Sequence, residues 1–167
     1  MADRSPRLAA QFEQAVSEFI GTVEGLTEEQ WRVLCPNEAR SVGVLARHVA
    51  SGIEFEMAVF REIAEGIQPG TISGSALAEM NAQDAEAWRE VPKDETLTLL
   101  RGNAVAAAAQ VRHLSEQQLA RSGRYITDSP DAWTVEQWIE RLLIGHVRGH
   151  LESIRAVLGA ADASRSS

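Results

Sequence analysis

The sequence predicts an all-α protein, a four-helix bundle with extra short helices in its connections. Apolar residues recur at threes and fours over four long stretches, the spacing that gathers them on one face of a helix. No stretch shows the alternation of a half-buried strand, because the β-branched residues fall inside the helical patterns. The connections after the first and third long helices carry the same chemistry, an internal echo that reads as two related helical hairpins.

Ser5-Pro6 opens the first helix in the favoured cap-then-proline order, and Leu8, Phe12, Val16, Phe19, Ile20 and Val23 mark its apolar face until it ends near Gly25. Thr27-Glu28-Glu29-Gln30 is a capping box for a short turn that carries Trp31 and breaks at Cys35-Pro36. Ser41 caps the second long helix, where Val42, Leu45, Val49, Gly52, Phe55 and Val59 repeat until Gly66 ends it. Ile67 to Gly74 is turn chemistry, and Ala76 to about Arg89 is a helix within the long connection, stopped ahead of Pro92.

The third long helix runs from about Asp94 to His113, with Leu97, Leu100, Val105, Ala108 and Val111 on one face and an alanine run suited to close packing. Leu114-Ser-Glu-Gln-Gln-Leu119 then repeats the chemistry of Leu26-Thr-Glu-Glu-Gln-Trp31. Thr134 caps the last helix, expected as one piece from about Val135 to Leu158, and Trp133 ahead of the cap is expected to staple onto Trp138 or the core.

Length points to one domain over residues 1–167, with a core over about 7–159 and a disordered tail over 160–167. Net charge is −8 and the basic residues are scattered among acids, so the electrostatic footprint of a nucleic-acid partner is missing. No stretch has the apolar length of a membrane span and the N-terminus lacks the core of a signal peptide, so the expected location is the cytoplasm. Cys35, the one cysteine, allows neither an intramolecular disulfide nor a thiolate metal cluster, and is expected as an inert, partly buried thiol.

The candidate chemistry lies in His146 and His150. Four residues apart on a helix, both rings can reach one point beside it, which is metal-ligand spacing. Four histidines in a chain of this length produce such a pair by chance often enough that the pair alone is weak evidence. The echo supplies a third: the second helix of each half carries histidine, and in the first half it is His48.

Three neutral imidazoles would leave a divalent ion its full charge and an open position, as in catalytic rather than structural sites. Zinc is named first because it is common; nickel, iron and copper suit the same ligands. Such a site activates a bound water or thiol. Gly52, Gly145 and Gly149 flank the three histidines, which reads either as room for a substrate or as close helix approach. Glu54, Glu56, Glu140 and Glu152 are the nearest acids in sequence, each expected as a solvated helical glutamate, and no catalytic residue is assigned among them. His113 is expected to face the terminal carbonyls of its helix.

Ser41-Val-Gly-Val-Leu-Ala-Arg-His48, together with Trp133-Thr-Val-Glu-Gln-Trp-Ile-Glu-Arg-Leu-Leu-Ile-Gly-His146-Val-Arg-Gly-His150, resembles the DinB/YfiT-like superfamily. That superfamily also holds thiol-dependent S-transferases and the metal-binding domain of mycothiol-dependent maleylpyruvate isomerase. The resemblance covers about residues 7–159 and implies a four-helix bundle whose metal triad falls on His48, His146 and His150. It also implies a small-molecule substrate, a low-molecular-weight thiol as cosubstrate, and a homodimer. Gly145 and Gly149 stand where the common pattern carries an acidic residue and a doubled histidine. The expected function is a metal-dependent transferase or hydrolase; the alternative is a non-catalytic metal-binding or stress-related bundle.

Overall fold

Each long apolar stretch folds into a helix with its apolar face buried. The computed structural model describes residues 4–129 and 132–165. In chain order the elements are α1 (Arg4–Glu24), α2 (Glu28–Trp31), β1 (Leu34–Cys35), β2 (Arg40–Ser41), α3 (Val42–Glu65), α4 (Gly74–Ala87) and α5 (Lys93–Arg112). Then come α6 (Glu116–Leu119), β3 (Ser122–Gly123), β4 (Trp133–Thr134), α7 (Val135–Trp138), a π-helical turn (Ile139–Ile144) and α8 (Gly145–Arg165). The tail expected over 160–167 is helical as far as Arg165, and its last two residues lie outside the described ones.

The bundle is built from α1, α3, α5 and the α7-to-α8 run, and their inward faces share a core that includes Phe12, Phe19, Leu45, Phe60, Leu100 and Trp138. Its neighbours are α3 with α5, α5 with α1, α1 with α8, and α8 with α3. The helices of each half therefore sit on diagonals. This corrects the expected pair of side-by-side hairpins. Short loops force consecutive helices to be neighbours, whereas the connections over 25–41 and 113–134 are long enough to cross an end of the bundle. His48 on α3 and the histidines of α8 thus meet across the two halves.

The echo extends to backbone detail. Thr27 with Gln30 and Ser115 with Gln118 both form full capping boxes, and each short helix buries the residue that closes it, Trp31 or Leu119. Each connection then pairs two residues antiparallel with the two that precede the next helix, Leu34↔Ser41 in one and Ser122↔Thr134 in the other. The next helix is tied in the same way, with Val42 N donating to Val33 O and Val135 N to Arg121 O, both at 2.9 Å. These ladders are too short to show alternation, which is why no strand was expected from the sequence.

Ser5 departs from its expected role. It lies inside α1, almost fully buried, and its hydroxyl donates to the Leu114 carbonyl, joining α1 to the end of α5. Cys35 is a buried free thiol, and burial together with the Glu38 charge pushes its pKa up to about 11, the direction that disfavours the reactive thiolate. Trp133 packs on Trp138 with centroids 4.6 Å apart, the staple expected.

Gly123 is a position where a side chain cannot fit. A Cβ there would stand 2.7 Å from Ile63 Cγ1, and the Gly123 carbonyl accepts from Trp138 Nε1 at 3.2 Å, which fixes the backbone in place. Gly123→Ala should cost about 1–3 kcal/mol, the usual range for overpacking a tight core. An unfolding midpoint in urea equal to that of the parent would show that β3 can move away.

The last helix is not one piece. The buried Val135, Trp138 and Ile139 set a phase that, continued at 3.6 residues per turn, would centre positions 142, 146, 150 and 153 on the core face. The buried residues are Leu143, Val147, Leu151 and Ile154, each one position later, with Ile144 beside them. The π turn over Ile139–Ile144 absorbs that extra residue. His146 is thereby moved off the centre of the core face to its flank.

Candidate metal centre

His48 lies in the second turn of α3, and His146 and His150 lie in the first two turns of α8, directly after the π turn. The structure brings these three together, each offering one ring nitrogen within 4.8 Å of the others. His48 Nε2 and His146 Nε2 are 3.0 Å apart. The rings are T-shaped to one another, with centroids at 4.9 Å for His48 and His146, 5.2 Å for His48 and His150, and 4.6 Å for His146 and His150.

Gly52, one turn after His48, makes this approach feasible. A Cβ at Gly52 would stand 3.1 Å from His146 Cε1, tighter than ordinary contact. Of the two readings of the glycines, Gly52 fits close approach: its bare backbone gives the His146 ring its place. A Cβ at Gly149 would meet nothing, and one at Gly145 would meet the Glu140 carbonyl oxygen of its own helix at 3.5 Å.

Two carboxylates stand behind the rings. Glu38 Oε1 accepts from His150 Nδ1 at 3.0 Å and from Ser153 Oγ at 2.9 Å. Glu56 Oε1 stands 2.9 Å from His146 Nδ1, at ion-pair distance but outside hydrogen-bond direction. A carboxylate on the far nitrogen of a histidine fixes its tautomer and leaves the other nitrogen's lone pair free to bind. Glu38 reaches His150 from the turn between β1 and β2, where Ala39 takes a left-handed φ of 53°. That conformation is costly for a residue with a Cβ, and it is found beside the one acid that braces His150.

Burial, reinforced by the neighbouring imidazoles, pushes the His48 pKa down to about 3. Burial and His146 push His150 down to about 4, against the opposing pull of Glu38. Neutral rings at pH 7 are the form that binds metal. Nitrogens sharing a tetrahedral zinc at about 2.05 Å stand roughly 3.3 Å apart, close to the separation of His48 and His146. The donor set therefore fits a divalent ion.

Sequence reasoning reached the three histidines but not their supports. Glu38 lies 112 residues from His150 in a loop, where no spacing signals it. Glu56 was among the acids expected to be solvated, yet it is 6% exposed. Its position two turns after His48 on the same helix was the available signal. Glu54 and Glu152 are exposed, and Glu140 pairs with Arg7 at 3.4 Å, so none of the three belongs to the centre. His113 forms the C-terminal cap of α5, away from the triad.

The family model of the DinB superfamily matches residues 11–154. The chain belongs to the DinB superfamily. No curated protein matches it. Among solved structures, this DinB chain is similar to YfiT from Bacillus subtilis, described as a probable metal-dependent hydrolase with an unusual four-helix bundle topology. The two superpose with a TM-score of 0.78 at 18% identity, over 95% of this chain and 87% of the other. That likeness shows a shared four-helix-bundle fold, and no helix among the described residues is long and apolar enough to cross a membrane.

Glu38 gives a direct check on the bracing argument. Glu38→Gln keeps the size of the side chain but removes the charge behind His150, and should weaken zinc affinity by about 10–100-fold with little change in melting temperature of the metal-free protein. Competition against a chromogenic chelator measures it, and equal affinities would mean that Glu38 braces the fold alone.

Proposed function

We propose that the chain is a cytoplasmic metal-dependent enzyme in which His48, His146 and His150 hold a divalent ion, zinc first among the candidates. The site would activate a water or a low-molecular-weight thiol against a small-molecule substrate. The observation that carries this reading is the convergence of three imidazole nitrogens within 4.8 Å of one another, with carboxylates behind two of the rings. When bound, the ion supplies positive charge that lowers the pKa of a water or thiol beside it and leaves room for one, since the protein offers three ligands.

The chain's own residues do the positioning. Glu38 holds the His150 proton on Nδ1, and Glu56 places its charge behind His146. A cavity of about 250 Å³ opens beside His48 and His146, so a substrate can lie against the site without crossing the core. The similar YfiT, described as a probable hydrolase, favours water over thiol as the first nucleophile to test.

The test begins with protein purified without affinity-tag nickel. Metal analysis should find close to one equivalent; less than about a tenth, with stability unchanged in chelator, would end this reading. Metal-replete protein is then screened with activated esters and amides in water, and with thiols plus electrophiles for conjugates. His48→Ala should lose whichever activity appears.

A further inference from the structure

Buried polar atoms without partners are costly, at about 1–3 kcal/mol each, so a cluster of them calls for an explanation. Among the described residues, four side-chain atoms are buried with no hydrogen-bond partner in the protein: Arg47 Nε, Glu56 Oε2, Tyr125 Oη and His146 Nδ1. Glu56, Tyr125 and His146 line one cavity, the one beside the triad. Arg47 is next to it, with its guanidinium 5.5 Å from the ring centroid of Trp88, another wall of the same cavity.

The rest of the wall is apolar. Phe55, Leu77, Met80, Trp88, Ile126 and Leu142 surround the space. Phe55 and Met80 are among the chain's exposed large hydrophobic residues, at 43% and 37%, and both lie at this cavity. Helix α4, which buries none of its own residues, supplies Leu77, Met80, Asn81 and Asp84 to the wall, with Trp88 as its cap. It is held over the site from outside the bundle: Asp128 accepts from Gly74 N at 2.8 Å, and Ile72 pairs with Ile126. An element with no buried residue of its own, fixed across an apolar hollow, is placed to contact a ligand.

We propose that this cavity takes a small uncharged molecule with a one-ring apolar body and an amide or hydroxyl group that donates to Glu56 Oε2 and accepts from Tyr125 Oη. The inference rests on reading the triad as a metal-dependent site, and it names the substrate class of that site. A carboxylate accepts only, and a phenol can donate, so the complement is a group able to do both at once. A carboxylate has no proton to donate to Glu56 Oε2, and in the metal-free chain the acids Glu56 and Asp84 on the wall disfavour it further. At roughly 30 Å³ of liquid per heavy atom, about 250 Å³ holds about eight, the size of benzamide or benzyl alcohol. Both oxygens belong to residues that line the cavity, and the half-exposed Phe55 of the same wall stands edge-on to Tyr125 with centroids 5.6 Å apart.

The test uses the full chain, with metal and after chelation, titrated with benzamide, benzoate and ethylbenzene and followed by NMR at the Trp88 indole and the ring of Tyr125. Benzamide should saturate, benzoate should bind the chelated chain at least about tenfold more weakly, and Tyr125→Phe should lower benzamide affinity about tenfold while leaving ethylbenzene unchanged. Leu77→Trp, which fills the cavity from α4, should abolish binding of benzamide and ethylbenzene alike. Benzoate binding the chelated chain as well as benzamide does, or benzamide being indifferent to Tyr125→Phe, would overturn the proposal. Saturable benzamide binding to a chain that takes no metal would leave the cavity assignment standing and remove the metal-dependent reading, whereas metal binding without benzamide binding would do the reverse.

Discussion

Replacing His146 and His150 together by alanine is expected to abolish metal binding and leave the fold in place. Two of the three nitrogens that converge within 4.8 Å are lost, and the single imidazole of His48 cannot hold a divalent ion against water. Saturation at 100 times the dissociation constant stabilises a protein by about 2.7 kcal/mol, which in a chain of this size raises the melting temperature by roughly 5–10 °C. The parent should show that rise with added zinc and the double variant should show none.

The metal-free forms of the two proteins should melt close together, because opposing terms are removed at once. Loss of the rings opens the surroundings of His48, whose pKa is held down by burial and by the two neighbouring imidazoles, and leaves Glu56 buried without the ring beside it. Circular dichroism and calorimetry at several zinc concentrations give both answers. A double variant that keeps the zinc-dependent rise would place the metal elsewhere in the chain.

The bundle was legible because its information is local. Ser41 and Gly66 close α3 where cap chemistry places them, and the capping boxes at Thr27, Ser115 and Thr134 are each complete. The histidine triad was legible for a related reason: the duplicated connection marks His48 as the counterpart of the α8 pair, so one long-range contact could be read from a repeat. What the repeat could not tell is which helices are neighbours. The same sequence suits hairpins or diagonals, and the choice is made by how far residues 25–41 and 113–134 reach across the end of the bundle.

Features held by single long-range contacts stayed hidden. Glu38 braces His150 from a turn whose sequence, Pro36-Asn37-Glu38-Ala39, announces a bend and nothing of its target. Tyr125 and Glu56 come to line one cavity only because the loop after β3 lies over α3. The π turn was hidden differently: periodicity fitted over 135–158 averages two phases one residue apart, and the buried set Leu143, Val147 and Leu151 reveals the slip once burial is known.

Trp138 ties that slip to the core, and Trp138→Ala is the substitution expected to cost the most stability. The side chain is 2% exposed, stacks on Phe60 with centroids 6.1 Å apart, packs against Trp133, and donates to the Gly123 carbonyl. Truncation should cost about 3–5 kcal/mol, a large share of the 5–15 kcal/mol that holds a domain together. Trp138→Phe keeps a ring on Phe60 and leaves the Gly123 carbonyl unpaired, for about 1–3 kcal/mol. Trp138 is the last residue before the π turn, so its burial sets the register in which α8 departs and therefore where His146 points. Trp138→Ala should accordingly weaken zinc binding in protein that is still folded, while Trp138→Phe should not. Urea unfolding and zinc competition on the same samples separate the two effects, and a Trp138→Ala protein with lowered stability but parental zinc affinity would mean that the register of α8 is set within the helix itself, beyond residue 144.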